Sequence, residues 1–388
     1  MNNIYIAGAS SRARTTKAYL EFLYPDTKVQ AFLVSPEMDD NPTVQDGIPV
    51  IAIRERNKNS SLDESSVESG FIDTRCIIYL GTRGANHQKL ISELQEAGFQ
   101  KDKIIPVSVN LDTNLRNEYV AKRYQLSGRK FIKIDRLISD GQGKIAQIGT
   151  SGNSYDKKKN ACIYQIRSVF DSKITDSYAS LEEERYLQVG ASLTDKRISC
   201  DILADNTGDN ISDRNRQFCE LTGLYWIWKN TTEDIVGLVH YRRHFLLPKE
   251  WVNVFVGAGV DAILPVPLCV VPSLEENYKS RHLGFIWDKL FDIMSKYHPE
   301  DAKEARHFFK ENNLYSPCNM IITKKHILDE YCEWLFPMLL ELTDEIGTID
   351  DQYQNRYPGF LSERLLTYYF ESKCRNLNIV YADKNFLQ

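Results

Sequence analysis

The chain has no paired-cysteine motif. Its eight cysteines (Cys76, Cys162, Cys200, Cys219, Cys269, Cys318, Cys332 and Cys374) are scattered, none in a C-x-x-C pair. Most sit in apolar runs, which points to buried reduced thiols and a cytosolic setting rather than a disulfide framework. No hydrophobic run approaches the length of a membrane span, and the first residues carry no charged-then-apolar signal pattern. Work at a membrane is therefore expected to be peripheral. Positive charge is not in excess: the formal net charge is -5, so no global basic field argues for nucleic acid and any anion site must be local. A complete dinucleotide turn is also missing. Gly8 stands, but Ser10 and Ala13 hold the other two places of the G-x-G-x-x-G pattern.

What is present suits a soluble two-domain α/β protein. With 388 residues the chain exceeds one ordinary core. Strand-like runs at residues 4–8 (IYIAG), 29–34, 48–53, 75–80 and 103–107 alternate with helical stretches at 13–24 and 86–97. That alternation predicts a parallel, doubly wound sheet. Residues 57–68 are polar and Ser-rich and read as a loop. Residues 139–159 are rich in Gly, Ser, Asp, Asn and Lys and form the best linker candidate. The expected organisation is a Rossmann-like domain over 1–138, a linker over 139–159 and a second α/β domain over 160–388.

The second domain is organised around residues 205–245. A polar turn (Asp205, Asn206, Asp209, Asn210) leads into a helix expected from Ser212, with Phe218, Leu221, Leu224, Tyr225 and Trp228 at helical spacing. Ser212 reads as its N-cap. A short apolar strand over 235–239 then runs into His240, Tyr241, Arg242, Arg243 and His244. Strand alternation puts His240 with Arg242 on one face and Tyr241 with Arg243 on the other. Ligands of open α/β sheets bind beyond the carboxyl ends of strands, and paired basic groups there suit a diphosphate. A solvated strand end explains the same residues. Residues 273–282, with Tyr278, Lys279, Arg281 and His282, fit either a segment covering a ligand or a plain loop. Asn319, inside an apolar run, needs hydrogen-bond partners, as a structural group or an acceptor-binding one. Glu220 suits a pair with Arg216 one turn earlier or an orienting contact to Arg242.

The motifs GDNIS (208–212), ELTGLYWIWKN (220–230), GLVHYRR (237–243) and GFLSERLL (359–366) together resemble an uncharacterised-domain family of bacterial capsular and exopolysaccharide biosynthesis glycosyltransferases. The resemblance covers roughly 160–388. It implies a GT-A-like fold and a hexosyltransferase-type enzyme. Such an enzyme moves a sugar from a nucleoside-diphosphate donor, a UDP-sugar above all, to a glycan or lipid-linked oligosaccharide acceptor. Under it, His240, Tyr241, Arg242 and Arg243 grip the donor diphosphate, standing where GT-A enzymes usually carry a metal-binding D-x-D. Either these basic groups replace the metal, or Mn or Mg is held elsewhere, for instance by Asp205 and Asp209. Asp205, Asn206, Asp209 and Asn210 are candidates for the nucleotide pocket, although turn formation explains them equally well. Glu363 is the first candidate for the base and Asp351 the second; an ion pair of Glu363 with Arg364 or Arg356 is the plain alternative. Asn319 and Tyr278 are acceptor-binding candidates. The expected location is cytoplasmic, at most peripheral at the inner face of the membrane. The competing functional readings are a non-catalytic nucleotide-sugar-binding or docking protein of the same pathway and a nicotinamide-dependent enzyme, the latter disfavoured by the imperfect glycine turn.

Overall fold

A computed structural model describes residues 2–36, 42–53, 72–139 and 160–388. The expected loop at 57–68, and the expected linker apart from Ser139, lie outside the described residues. The chain divides into two compact units, Met1–Lys130 with Cys269–Pro272, and Phe131–Leu268 with Ser273–Gln388.

The first unit carries β1 (Asn2–Ala7), β2 (Thr27–Val34), β3 (Val44–Gln45), β4 (Ile48–Ala52), β5 (Ile77–Leu80) and β6 (Ile104–Pro106) in the order β3-β4-β2-β1-β5-β6. All pairings are parallel except β3 with β4. Helices Ser11–Leu23, His87–Glu96 and Val109–Leu126 accompany it. The near-continuous apolar runs of β1 and β2 are those of strands covered on both faces.

The second unit is built on β7 (Ala161–Arg167), β8 (Glu184–Gln188), β9 (Leu203–Ala204), β10 (Ile235–His240), β11 (Ala262–Pro265), β14 (Ile321–Lys324) and β15 (Ile379–Ala382). Two further short strands, β12 (Leu268–Cys269) and β13 (Leu314–Tyr315), lie outside that sheet. Its order is β15-β11-β14-β10-β7-β8-β9, parallel apart from β14, which runs against both neighbours. From β7 the chain winds outward through β8 and β9, then returns to place β10 on the other side of β7. The carboxyl ends of β7 and β10 therefore form the switch point at which open α/β sheets bind ligands. Gly237 in β10 has no room for a side chain: an added Cβ would meet Ile322 Cγ1 at 2.8 Å and the Ile321 carbonyl at 3.2 Å.

Three local expectations are revised. The helix expected from Ser212 is broken, with a 3-10 turn at Ser212–Arg214, one turn at Asn215–Phe218, and the main helix at Leu221–Asn230. Cys219, at φ 49°, interrupts the run in the left-handed region, which no helix continues through. Ser212 is not the N-cap: its buried hydroxyl donates to Asp205 instead. The 273–282 stretch contains a helix, Leu274–Lys279, with Tyr278 fully buried, rather than a plain loop.

The polar turn over 205–210 is stitched to the helix Leu221–Asn230. Asn230 Nδ2 donates to the Asp209 carbonyl at 2.8 Å, Tyr225 OH to Asp209 Oδ1 at 3.1 Å, and Trp226 Nε1 to Thr207 Oγ1 at 2.9 Å. Gly208 sits at φ +58°, and a Cβ there would lie 1.9 Å from Asn230 Oδ1. Gly208→Ala therefore carries both a backbone and a steric penalty. It is expected to destabilise the protein by about 2 kcal/mol, read as a lower urea midpoint at unchanged slope; an unchanged midpoint contradicts the stitching.

Candidate active site at the end of a central strand

β10 stops at His240 because the chain turns at once. His240 N donates to the Arg243 carbonyl at 3.0 Å and Arg243 N to the His240 carbonyl at 3.1 Å. The strand alternation expected for this run therefore does not hold. His240 and Arg243 act on one cluster, whereas Tyr241 and Arg242 belong to another.

The first cluster is assembled by a turn between β13 and β14. Cys318 and Asn319 are both left-handed, at φ 75° and 50°. Cys318 N donates to Glu363 Oε1 at 2.8 Å, and Asn319 Nδ2 to Glu220 Oε1 at 2.8 Å. The Cys318 carbonyl lies 2.6 Å from His240 Nε2. A carbonyl only accepts, so Nε2 carries the proton and Nδ1 is the acceptor of the ring. Burial lowers the His240 pKa, reinforced by Arg243 and Lys384 and opposed by Glu220 and the Cys318 carbonyl, so the ring is neutral at pH 7. Glu363, on helix Tyr357–Tyr368, shifts the other way. Burial raises its pKa and the Glu220 carboxylate adds to that, against Arg364, the Cys318 amide and Arg243. Its side chain keeps 20% exposure, so a hydroxyl can reach it. Arg364 stands 3.8 Å away, a loose ion pair.

The second cluster lines a cleft of about 590 Å³ beyond the carboxyl ends of β7 and β8. Its walls include Arg167, Lys173, Lys196, Tyr178, Tyr186 and Tyr241. Gln188, fully buried in β8, fixes one wall through the Lys196 carbonyl and the Ile198 amide, both at 2.9 Å. Arg167 lies over the Tyr186 ring, 4.2 Å from its centroid, and Arg242 over Tyr241 at 5.2 Å. Asp171 accepts from the Ser168 amide at 2.7 Å. Burial raises its pKa, with Ser168, Arg167 and Arg242 opposing. Cations and aromatic faces in one concave site suit an anionic, ring-bearing ligand. His240 and Tyr241 are consecutive, with Cα atoms about 3.8 Å apart, so the cleft and the carboxylate cluster share one strand end.

Other sequence-nominated residues stand apart from the cleft walls. Asp205 is fully buried, taking the Gly190 and Ala191 amides at 3.0 Å each and the hydroxyls of Ser212 and Thr222. Both its oxygens are thereby engaged within the fold. Asp209 is exposed, Asn206 half-buried, and Asn210 caps the Ser212 amide at 3.2 Å. Among the described residues no group of three or more His, Cys, Asp or Glu side chains is placed to hold a metal ion. Asp351 is exposed and receives the Tyr353 and Gln354 amides at 2.8 and 2.9 Å. Tyr278 packs 4.9 Å from both His282 and Trp287, its buried hydroxyl without a partner. His282, stacked on Phe360 at 4.2 Å, has its pKa lowered to about 4, by burial first and Arg364 second. Asn319 belongs to the cluster, fully buried, with Oδ1 unpartnered.

Sequence reading missed Arg167, Gln165 and Glu184, and it did not place Glu220 beside Glu363. A polar residue inside the apolar run ACIYQIR was the available signal for Gln165. Nothing local marked the paired glutamates, which lie far apart in the chain.

The Glu363 shift has a stability consequence. Its folded pKa exceeds the unfolded one, so the fold binds the extra proton between those values and stability falls as pH rises through that window. Glu363→Gln, which keeps an acceptor for the Cys318 amide, should melt about 2–4 °C higher than wild type at pH 7. The gap should close below the ordinary glutamate range. Equal melting at pH 7 contradicts the assigned environment.

Comparison with known proteins accords with this architecture. The structure matches a solved apo structure of the WbbM bifunctional glycosyltransferase with TM-score 0.51 and 25% sequence identity, covering 59% of this chain. The chain spans 46% of that protein's length. No curated protein matches it. The likeness supports a glycosyltransferase-like family with an α/β fold. Residues 175–374, more than half of the chain, match the domain of unknown function DUF4422, and the protein belongs to that family.

Proposed function

We propose that the protein is a glycosyltransferase of hexosyltransferase type. It transfers a sugar from a nucleoside-diphosphate donor, a UDP-sugar foremost, to a growing, lipid-linked capsular or exopolysaccharide unit. The observation that carries this reading is the adjacency of two sites at the β7/β10 switch point: a cationic, tyrosine-lined cleft and a partly buried pair of glutamates joined to it through His240 and Tyr241. The glycosyltransferase neighbour supports the same class of reaction.

In this reading the nucleotide ring lies against the cleft tyrosines and the diphosphate faces Arg167 and Arg242. The Arg167 guanidinium, bonded to Gln165 and lying over Tyr186, is fixed before the donor arrives, so it stabilises charge as the sugar–phosphate bond breaks without reorganising. Glu363 accepts the proton of the acceptor hydroxyl as its oxygen bonds to the anomeric carbon, and the nucleoside diphosphate leaves with the electron pair of the broken bond. A raised pKa makes Glu363 a stronger base than a surface glutamate. Neutral His240, donating to the Cys318 carbonyl, holds the turn that orients Glu363. Asn319 and Tyr278 remain the acceptor-side candidates. The engaged Asp205 carboxylate does not fit a metal-ligand role.

The rate should fall as pH drops through the raised Glu363 value, giving an acid limb above the ordinary glutamate range. Glu363→Gln should lower turnover by about 10²–10⁴ while leaving UDP affinity intact, measured as UDP release from UDP-sugars with acceptor glycan present. Wild-type turnover in that variant overturns the assignment of the base. UDP binding without transfer to any acceptor by the wild type favours the non-catalytic reading.

A further inference from the structure

Along one wall of the cleft runs a buried chain of hydrogen bonds with one self-consistent direction. Arg167 Nε donates to Gln165 Oε1 at 3.0 Å. That contact fixes the amide orientation, because the oxygen must face the guanidinium. The Gln165 Nε2 amide then faces His244 Nε2 at 2.9 Å and donates to it. With Nε2 accepting, the His244 proton resides on Nδ1, which lies 3.3 Å from Glu184 Oε1. The same Glu184 oxygen accepts from Tyr178 OH at 3.1 Å, and the Tyr178 ring stacks on His244 at 3.9 Å. Gln165, His244 and Glu184 are nearly or wholly removed from solvent, at 1%, 0% and 8% exposure. Three polar side chains under one cleft wall are costly to bury unless each has its partner. Arg167, Gln165, His244 and Tyr178 all border the cleft, and Glu184 joins the last two from behind it.

We infer that Gln165, His244 and Glu184 are positioning residues that set the Arg167 guanidinium, and with it Tyr178, for the anionic part of the ligand. This rests on the reading of the cleft as the donor site. The direction of the chain is what gives it function. Only one tautomer of His244 and one amide orientation of Gln165 present an acceptor to Arg167. A free arginine side chain samples many rotamers, and fixing one in advance removes that cost from binding.

The test is a double-mutant cycle on UDP affinity, measured by calorimetry on the full chain with Gln165→Met, Arg167→Ala and the double variant. Gln165→Met keeps the side-chain volume and removes both hydrogen bonds. Arg167→Ala should weaken UDP binding about a hundredfold and Gln165→Met about tenfold. In the Arg167→Ala background, Gln165→Met should have no further effect, because it acts only through Arg167. Additive losses, or wild-type affinity in Gln165→Met, overturn the positioning role. A wild-type protein that binds no UDP removes the donor-site reading itself, and the inference with it. If Gln165→Met does not fold, His244→Leu in the same cycle gives the same discrimination, since it leaves the Gln165 amide without its acceptor.

Discussion

Two consecutive left-handed residues, Cys318 and Asn319, are the constraint on which the site depends. Neither is glycine, so each costs about 1–3 kcal/mol to hold in that conformation. The turn persists because it is over-determined. Its peptide groups and the Asn319 side chain bind His240, Glu363 and Glu220, which come from three different elements. Relaxing either residue toward ordinary backbone would release all three contacts. The same turn delivers the chain into β14, the one strand of its sheet that runs antiparallel to its neighbours, so the strain is also built into the topology.

What the turn gathers is unfavourable for folding and useful for chemistry. A glutamate is held in a buried place, near a second carboxylate, with an amide and two arginines only partly compensating. A histidine is held neutral by the same burial. Strain and perturbed protonation concentrated at one strand end, beside a concave site, are the signature of a region selected for reaction rather than for stability. Asp205 is the contrast. It is fully buried, but four donors surround it, and it ties the β8 end to the helix that follows. Two acidic residues drawn into the fold thus do opposite work, and their partners distinguish them.

The α/β class and most strands were legible from apolar runs and their spacing, because burial on both faces of a parallel sheet leaves that mark. The strand ending in His240 and the importance of the residues after it were legible too. Their grouping was not, since alternation extrapolates a strand that in fact ends in a tight turn at His240. The helix expected from Ser212 failed for a similar reason: a cysteine gives no hint of a positive φ. Asn319 was noticed as a polar residue in an apolar run, but its partners come from Glu220 and Gly359, which only the tertiary fold brings near. Asp205 and Asn210 were read as equally suited to turns and to nucleotide binding; the structure shows them engaged in turn and capping contacts. The relay under the cleft left a fainter trace, one glutamine in ACIYQIR and one glutamate at the start of β8, each in a position where a buried strand would otherwise carry an apolar side chain.

The most direct test of the central claim is a crystal structure of the protein grown with UDP. The ring of UDP is expected among Tyr178, Tyr186 and Tyr241, with the diphosphate against Arg167 and Arg242 and Glu363 open toward the space where the sugar would lie. A nucleotide seated instead at the Asp209 turn, or a cleft still empty at saturating UDP, would contradict it.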